Sequence, residues 1–258
     1  MSGAERTLSP EEVTRNDDHK LILAHIWVAV CAFGIAACMA LMQALSRANL
    51  DLPFRSARMY YMSVTAHGIL MALVFTTLFI MALGYITARK ELGALIGRKF
   101  AWAMWWTALA GVLMVVYTVL TFQASVLYTF YPPMQAHPLF YIGLTLVVVA
   151  SWGWVWNMIV SWRNARARNG DRPVSLAMHG TVANAMLWQL ATLGVAAEML
   201  FQLIPWSLGL VKTVDPIVAR TLFWYFGHPL VYFWILPAYT IWYTVLPREA
   251  GGDRKSVV

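Results

Sequence analysis

The stretch FAWAMWWTALAGVLMVVYTVLTF, residues 100–122, runs for 23 residues without a charged side chain. As a helix it would be about 35 Å long at 1.5 Å per residue, enough to cross the roughly 30 Å hydrocarbon core of a bilayer. Five further stretches of the same kind surround it, giving spans at 22–46, 60–88, 100–122, 139–161, 181–204 and 217–246. Polar or turn-forming clusters punctuate them. Arg89-Lys90-Glu91 and Arg98-Lys99 follow the second span, Tyr131-Pro132-Pro133 the third and Asn169-Gly170-Asp171-Arg172-Pro173 the fourth. Pro205-Trp206 follows the fifth, and Pro247 ends the sixth. The expected fold is all-α, a polytopic membrane bundle of six transmembrane helices, with residues 1–258 as a single membrane domain.

Composition points the same way. Hydrophobic residues make up 60% of the 258 and charged residues 12%, the latter about half of the ~25% usual in soluble domains. Mean hydropathy is +0.61. Thirteen Trp, eleven Tyr and twelve Phe suit aromatic belts at membrane interfaces. A soluble fold of this size has too little interior for so much apolar surface, which excludes a soluble enzyme, a nucleic-acid binder or a disulfide scaffold. The net charge of +7 is then a matter of topology. Lys and Arg number three before the first span, four in the second loop, four in the fourth and three in the tail, against three, none and two in the first, third and fifth loops, the last counting Arg220 at the start of the sixth span. Positive charge stays inside, so both termini are expected in the cytoplasm.

Residues 1–20 carry five acids and three bases and no apolar core, so no cleavable signal peptide is expected. Ser9-Pro10-Glu11-Glu12 reads as a capping box with Pro at the first helical position, starting a short cytosolic helix that leads into the membrane. Cys31 and Cys38 stand seven residues apart, about 10 Å along a helix and too far for a disulfide. Ala32, Ala36, Ala40 and Ala44 form a small-residue stripe, suited to close helix packing or equally to facing lipid.

Ionisable groups at membrane depth are functional candidates by default. His19, His25, His137 and His179 sit near span ends and read as interfacial polar residues. His67, in Thr65-Ala66-His67-Gly68, is about 10 Å below the outer surface. It is either a metal ligand or a buried hydrogen-bonded histidine, with Gly68 leaving room for a bulky planar group. His228 lies about 16 Å into the sixth span, in Gly227-His228-Pro229-Leu230-Val231-Tyr232. Pro229 and Pro237 free the carbonyls of Tyr225 and Phe233, which then need partners. His228 and Tyr232 are at i and i+4 and share a face, which Tyr239 and Tyr243 continue inward. That pattern fits a redox centre with a proton supply, or a tyrosine-rich packing face. Glu198, inside the fifth span, would cost about 2.5–3.5 kcal/mol if ionised at a helix centre. It is therefore protonated or paired, in a proton relay or a structural hydrogen bond.

The segment DPIVARTLFWYFGHPLVYFW, residues 215–234, closely resembles subunit I of the haem-copper oxygen reductases, the B family (ba-type cytochrome c oxidases) above all. Tyr60-Tyr61 through Thr65-Ala66-His67-Gly68 looks like that family's second span, and Tyr128-Thr129-Phe130-Tyr131-Pro132-Pro133 like its third loop. The resemblance implies that His67 is an axial ligand of a low-spin haem, b-type, and that His228 ligates the copper ion CuB facing a high-spin haem, a-type. It implies that Tyr232 is the tyrosine joined covalently to that histidine, a catalytic donor of an electron and a proton during O–O cleavage. Tyr232, Tyr239 and Tyr243 would form the proton path from the cytoplasm. Mitochondrial-like members carry glutamate where this chain has Leu230, so their second proton channel should be absent. The cbb-type enzymes place the tyrosine on another span and nitric oxide reductases lack it, so Tyr232 argues against both.

The implied function is that of the catalytic subunit of a proton-translocating terminal oxidase in a prokaryotic plasma membrane, reducing O2 to water with electrons from cytochrome c. Its partners would be a CuA-bearing subunit II, cytochrome c and membrane lipid, with no nucleic acid. The family has at least twelve spans, and its remaining ligands, a His-His pair and a His-x-His, lie downstream of the sixth. The expectation is therefore an N-terminal half that is inactive alone, most ligands of the high-spin centre lying outside this chain. Two rival functions are a six-span transporter or channel using Glu198 and the tyrosines without metal, and a nitric oxide reductase relative.

Overall fold

A computed structural model describes residues 10–48 and 56–251 of the chain. Six helices in it are long and apolar enough to cross a membrane. The first is Pro10–Arg47, the second Ala57–Leu92, the third Arg98–Leu120, the fourth Pro138–Asn169, the fifth Leu176–Ser207 and the sixth Pro216–Glu249. Each expected span lies within one of these, apart from the last two residues of the third.

The main differences are at the ends. The first helix runs unbroken from Pro10, so the expected cytosolic helix and first span are one rod. The capping residue Ser9 lies outside the described residues. The fourth helix continues to Asn169 through Arg163, Arg166 and Arg168, because long basic side chains can solvate a helix that has left the apolar layer. Two of the rods contain π-helical turns, Ile69–Phe75 and Met199–Leu203. Each begins just after a residue singled out above, the His67-Gly68 pair and Glu198.

Small residues set the closest helix approach. A Cβ on Gly111 of the third helix would collide with the carbonyl oxygen of Gly143 on the fourth, and one on Gly143 would stand 2.7 Å from the Gly111 oxygen. The two backbones touch there, as small-residue crossings in membranes allow. The second helix packs most extensively on the first and also touches the third, fourth and fifth. Trp154 Nε1 donates to the Met81 carbonyl at 3.1 Å, and Trp188 Nε1 to Ser151 Oγ at 2.8 Å. At the basic end, buried Asp18 accepts from the Leu95 amide at 3.0 Å and pairs with Arg98 at 3.6 Å, tying the first helix to the turn between the second and third.

The sixth helix lies at the margin of the bundle, packed chiefly on the fifth. Ala219, Phe223, Phe226, Leu230 and Phe233 form its buried stripe, at the three- and four-residue spacing of a helix face. Of its most apolar 18 residues only 11% are buried.

Candidate functional site

His67 is half-buried on the second helix, facing the first. Its Nδ1 lies 3.0 Å from the Ala36 carbonyl oxygen. A carbonyl can only accept, so Nδ1 carries the hydrogen and Nε2 keeps its lone pair, the tautomer that suits a metal ligand. The alanine stripe makes this contact possible: Ala32 and Ala36 are buried against the second helix, while Ala44 is exposed. The stripe therefore packs in its first half and opens at its far end.

The space beside Gly68 is filled by the protein itself, which corrects the expectation of room for a planar group. A Cβ at residue 68 would run into Tyr128 Cβ, so glycine is required to seat the third loop. Thr65 serves the same end, its Oγ1 accepting from the Leu127 amide at 2.9 Å. Arg58 lies over the Phe122 ring at 4.4 Å, and Phe130 is fully buried against Phe140 and Phe223. The Thr-Ala-His-Gly motif thus holds both an imidazole and the loop that roofs it.

His228 and Tyr232 stack edge to face, ring centroids 4.8 Å apart. Both are exposed, as are Tyr239 and Tyr243, at 48%, 41% and 64% for the three tyrosines. At about 100° per residue the four side chains fall within one 60° stripe, opposite the stripe that packs on the fifth helix. The chain brings these four together on one uncovered face and leaves His67 on another helix. Among the described residues, no three His, Cys, Asp or Glu side chains stand close enough to share a metal ion. Leu230, where mitochondrial-like members carry glutamate, is buried at 6% exposure on the packed side.

The carbonyl freed by Pro237 has its partner: Asn184 Nδ2 of the fifth helix donates to Phe233 O at 3.2 Å. Asn184 is one of three amide side chains in the expected fifth span, with Gln189 and Gln202, and its sequence position alone does not mark it as this partner. His25 is a correction. It is fully buried, Nδ1 at 2.9 Å from the Leu21 carbonyl, its ring edge-on to Tyr85 at 5.3 Å, and Nε2 unpartnered. His137 caps the fourth helix by accepting from the Leu139 amide, and His179 lies exposed against Trp162, both as interfacial residues do. Cys31 and Cys38 are free and exposed. Glu198 is fully buried with neither carboxyl oxygen hydrogen-bonded.

The whole of this site lies within residues 20–257, which match the family "Cytochrome C and Quinol oxidase polypeptide I". Cytochrome c oxidase subunit 1 of Thermus thermophilus is 42% identical over 218 residues, which are 81% of this chain and 38% of that protein. The subunit 1 proteins of Thermostichus vulcanus and a Synechocystis species are 26% and 27% identical over 92% and 90% of the chain. A chain from the cryo-EM structure of a haem-copper terminal oxidase dimer superimposes with a TM-score of 0.82 at 37% identity, covering 86% of this chain and 39% of that one. The chain thus spans less than half the length of each of these relatives. Six apolar helices, a mid-membrane histidine–tyrosine pair and a match over nearly every residue agree: the chain belongs to the subunit I family of the haem-copper oxidases.

Proposed function

We propose that this chain is part of the catalytic subunit of a B-type terminal oxidase, which reduces O2 to water with electrons from cytochrome c and translocates protons. Four electrons and four protons per O2 are consumed, and water is the product. The observation that carries this reading is the His228–Tyr232 ring pair, 4.8 Å apart on an uncovered face at mid-membrane depth. An imidazole beside a phenol there is costly in lipid and useful at a redox centre.

The donors are of the kind the implied groups take, although the space beside Gly68 belongs to Tyr128. His67, its Nδ1–H held by Ala36, offers Nε2 to the low-spin haem. His228 offers an exposed imidazole to CuB, with further ligands and the high-spin haem's own histidine coming from outside this chain. Haem and copper, when bound, supply the redox chemistry and Lewis acidity for O–O cleavage. Tyr232 holds a phenolic proton beside His228 and donates it there. Tyr239 and Tyr243, about two and three turns further along the same stripe, relay protons to it from the cytoplasm. The third loop, seated on Gly68 and Thr65, keeps water from the His67 side.

In this reading the chain sits in a prokaryotic plasma membrane with both termini cytoplasmic. A CuA-bearing subunit II and the remaining spans of subunit I cover the exposed face of the sixth helix. The test is spectroscopy and respirometry on the complete complex. A Soret band with haem and copper in the preparation, and oxygen consumption on adding reduced cytochrome c, are expected. A preparation without a Soret band would instead favour a metal-free transporter. One that consumes nitric oxide and spares oxygen would favour the reductase.

A further inference from the structure

Glu198 stands out among the groups that this function leaves unused. It is fully buried by the chain's own helices, and both carboxyl oxygens lack a hydrogen-bond partner. It is not alone. Gln202, one turn on and inside the π-helical turn Met199–Leu203, has a buried Oε1 that is also unpartnered. The buried Tyr131 hydroxyl makes no hydrogen bond of regular geometry, although the Trp224 indole lies beside it. Tyr131 from the third loop and Tyr141 from the fourth helix both lie within electrostatic reach of the carboxyl. The Tyr141 hydroxyl accepts from the Ala136 amide at 3.0 Å, which leaves its own hydrogen to donate. Charged groups on this side are Lys212 and Asp215 of the joining loop and Arg220 at the start of the sixth helix, Lys212 and Arg220 being exposed. Among the described residues no base pairs with Glu198, so a proton is the simplest means of neutralising it.

Its depth gives the group a direction. The fifth and sixth helices run antiparallel, with Asn184 against Phe233 and Gly194 against Leu222 and Tyr225. Glu198, one turn beyond Gly194, is therefore level with about residues 218–221. That is roughly 10–15 Å from the level of His228 at 1.5 Å per residue, toward the loop joining the two helices. With the termini in the cytoplasm, that loop faces outward. Tyr239 and Tyr243 lie on the inward side of His228, and Glu198 on the outward side.

We propose that Glu198 is a proton-holding site on the exit side of the redox centre, its carboxyl taking up a proton and passing it outward through water shared with Gln202 and Tyr131. π-Helical turns are frequent at functional sites because they break the regular backbone ladder, and here one starts at the residue after the carboxyl. The proposal rests on the oxidase reading for its direction. The burial and the missing partners do not depend on that reading.

Glutamine has the shape and neutrality of a protonated glutamate but cannot exchange its proton, so E198Q separates a proton store from a structural hydrogen bond. The complete oxidase complex, wild type and E198Q, would be placed in phospholipid vesicles and supplied with reduced cytochrome c. The wild-type infrared spectrum should contain the carbonyl stretch of a protonated carboxyl that changes with redox state, and E198Q should lose it. E198Q should keep its haems and its oxygen consumption while losing proton release. Tyr131→Phe, which leaves the carboxyl in place, should shift the band without removing it. Identical spectra, or proton release in E198Q equal to wild type, would overturn the proposal. Should the wild-type complex consume no oxygen, the oxidase reading fails and the exit-side role with it, whereas an oxygen-consuming E198Q that releases protons normally defeats the Glu198 assignment alone.

Discussion

Asn184 Nδ2 lies 3.2 Å from the Phe233 carbonyl, which Pro237, four residues on, has deprived of its backbone donor. One helix thus repairs a break in another at a depth where water cannot. Phe233 directly follows Tyr232 and faces the other way around the helix, so the bond that holds it on the fifth helix turns the His228 and Tyr232 rings away from it.

Replacing Asn184 with leucine should therefore do more than remove a hydrogen bond. The loss in stability should be about 1–2 kcal/mol, in the range of interhelical hydrogen bonds in membranes and of buried unpaired groups. Thermal unfolding in detergent would measure it. An unchanged midpoint would mean that the Phe233 carbonyl finds another donor.

His67→Ala should abolish the low-spin haem spectrum of the complete enzyme while the subunit still inserts in the membrane. Full occupancy of that haem in the variant would refute the ligand assignment.

Tyr232→Phe keeps the ring against His228 and removes only the hydroxyl. Both haems should remain bound and oxygen consumption should stop. Near-normal respiration would show that the phenol is not needed for O–O cleavage.

Gly68→Val forces Tyr128 out of its seat, because the added Cβ already collides with Tyr128 Cβ. Overpacking of this kind costs about 1–3 kcal/mol. Limited proteolysis should then cut the loop around residues 123–137 faster than in wild type. Equal cleavage rates would show that the loop is held by Thr65 and the Arg58–Phe122 stack alone.

Gly111→Leu presses a side chain into the backbone of the fourth helix at Gly143. The third and fourth helices should separate, and the yield of folded protein from membranes should fall sharply. Gly34, which has open space where a Cβ would go, is the matched control and should tolerate alanine.

The six spans were legible because nothing but a membrane explains twenty apolar residues in a row, and the basic loops mark where each rod leaves the apolar layer. The stripe on the sixth helix was legible for the same geometric reason: 228, 232, 239 and 243 share a face at any helical pitch near 3.6. What stayed hidden were contacts between distant segments. His25 sits at the entry of the first span, and only tertiary packing buries it against Tyr85. Gly68 looked like space for a ligand, yet Tyr128, sixty residues downstream, fills it. Both π-helical turns were invisible, since a one-residue slip in hydrogen-bond register leaves the apolar pattern almost unchanged.

The Ala36 carbonyl that holds His67 Nδ1 at 3.0 Å belongs to a helix with no other duty at the site. A hydrogen bond to the far nitrogen of a ligating imidazole strengthens it as a donor to the metal and tunes the metal's reduction potential. In a working oxidase the width of an alanine seam would thus become an electrical setting. A single methylene added at Ala32 or Ala36 would pry the helices apart, weaken that bond and shift the midpoint of the low-spin haem, without altering a residue that touches it.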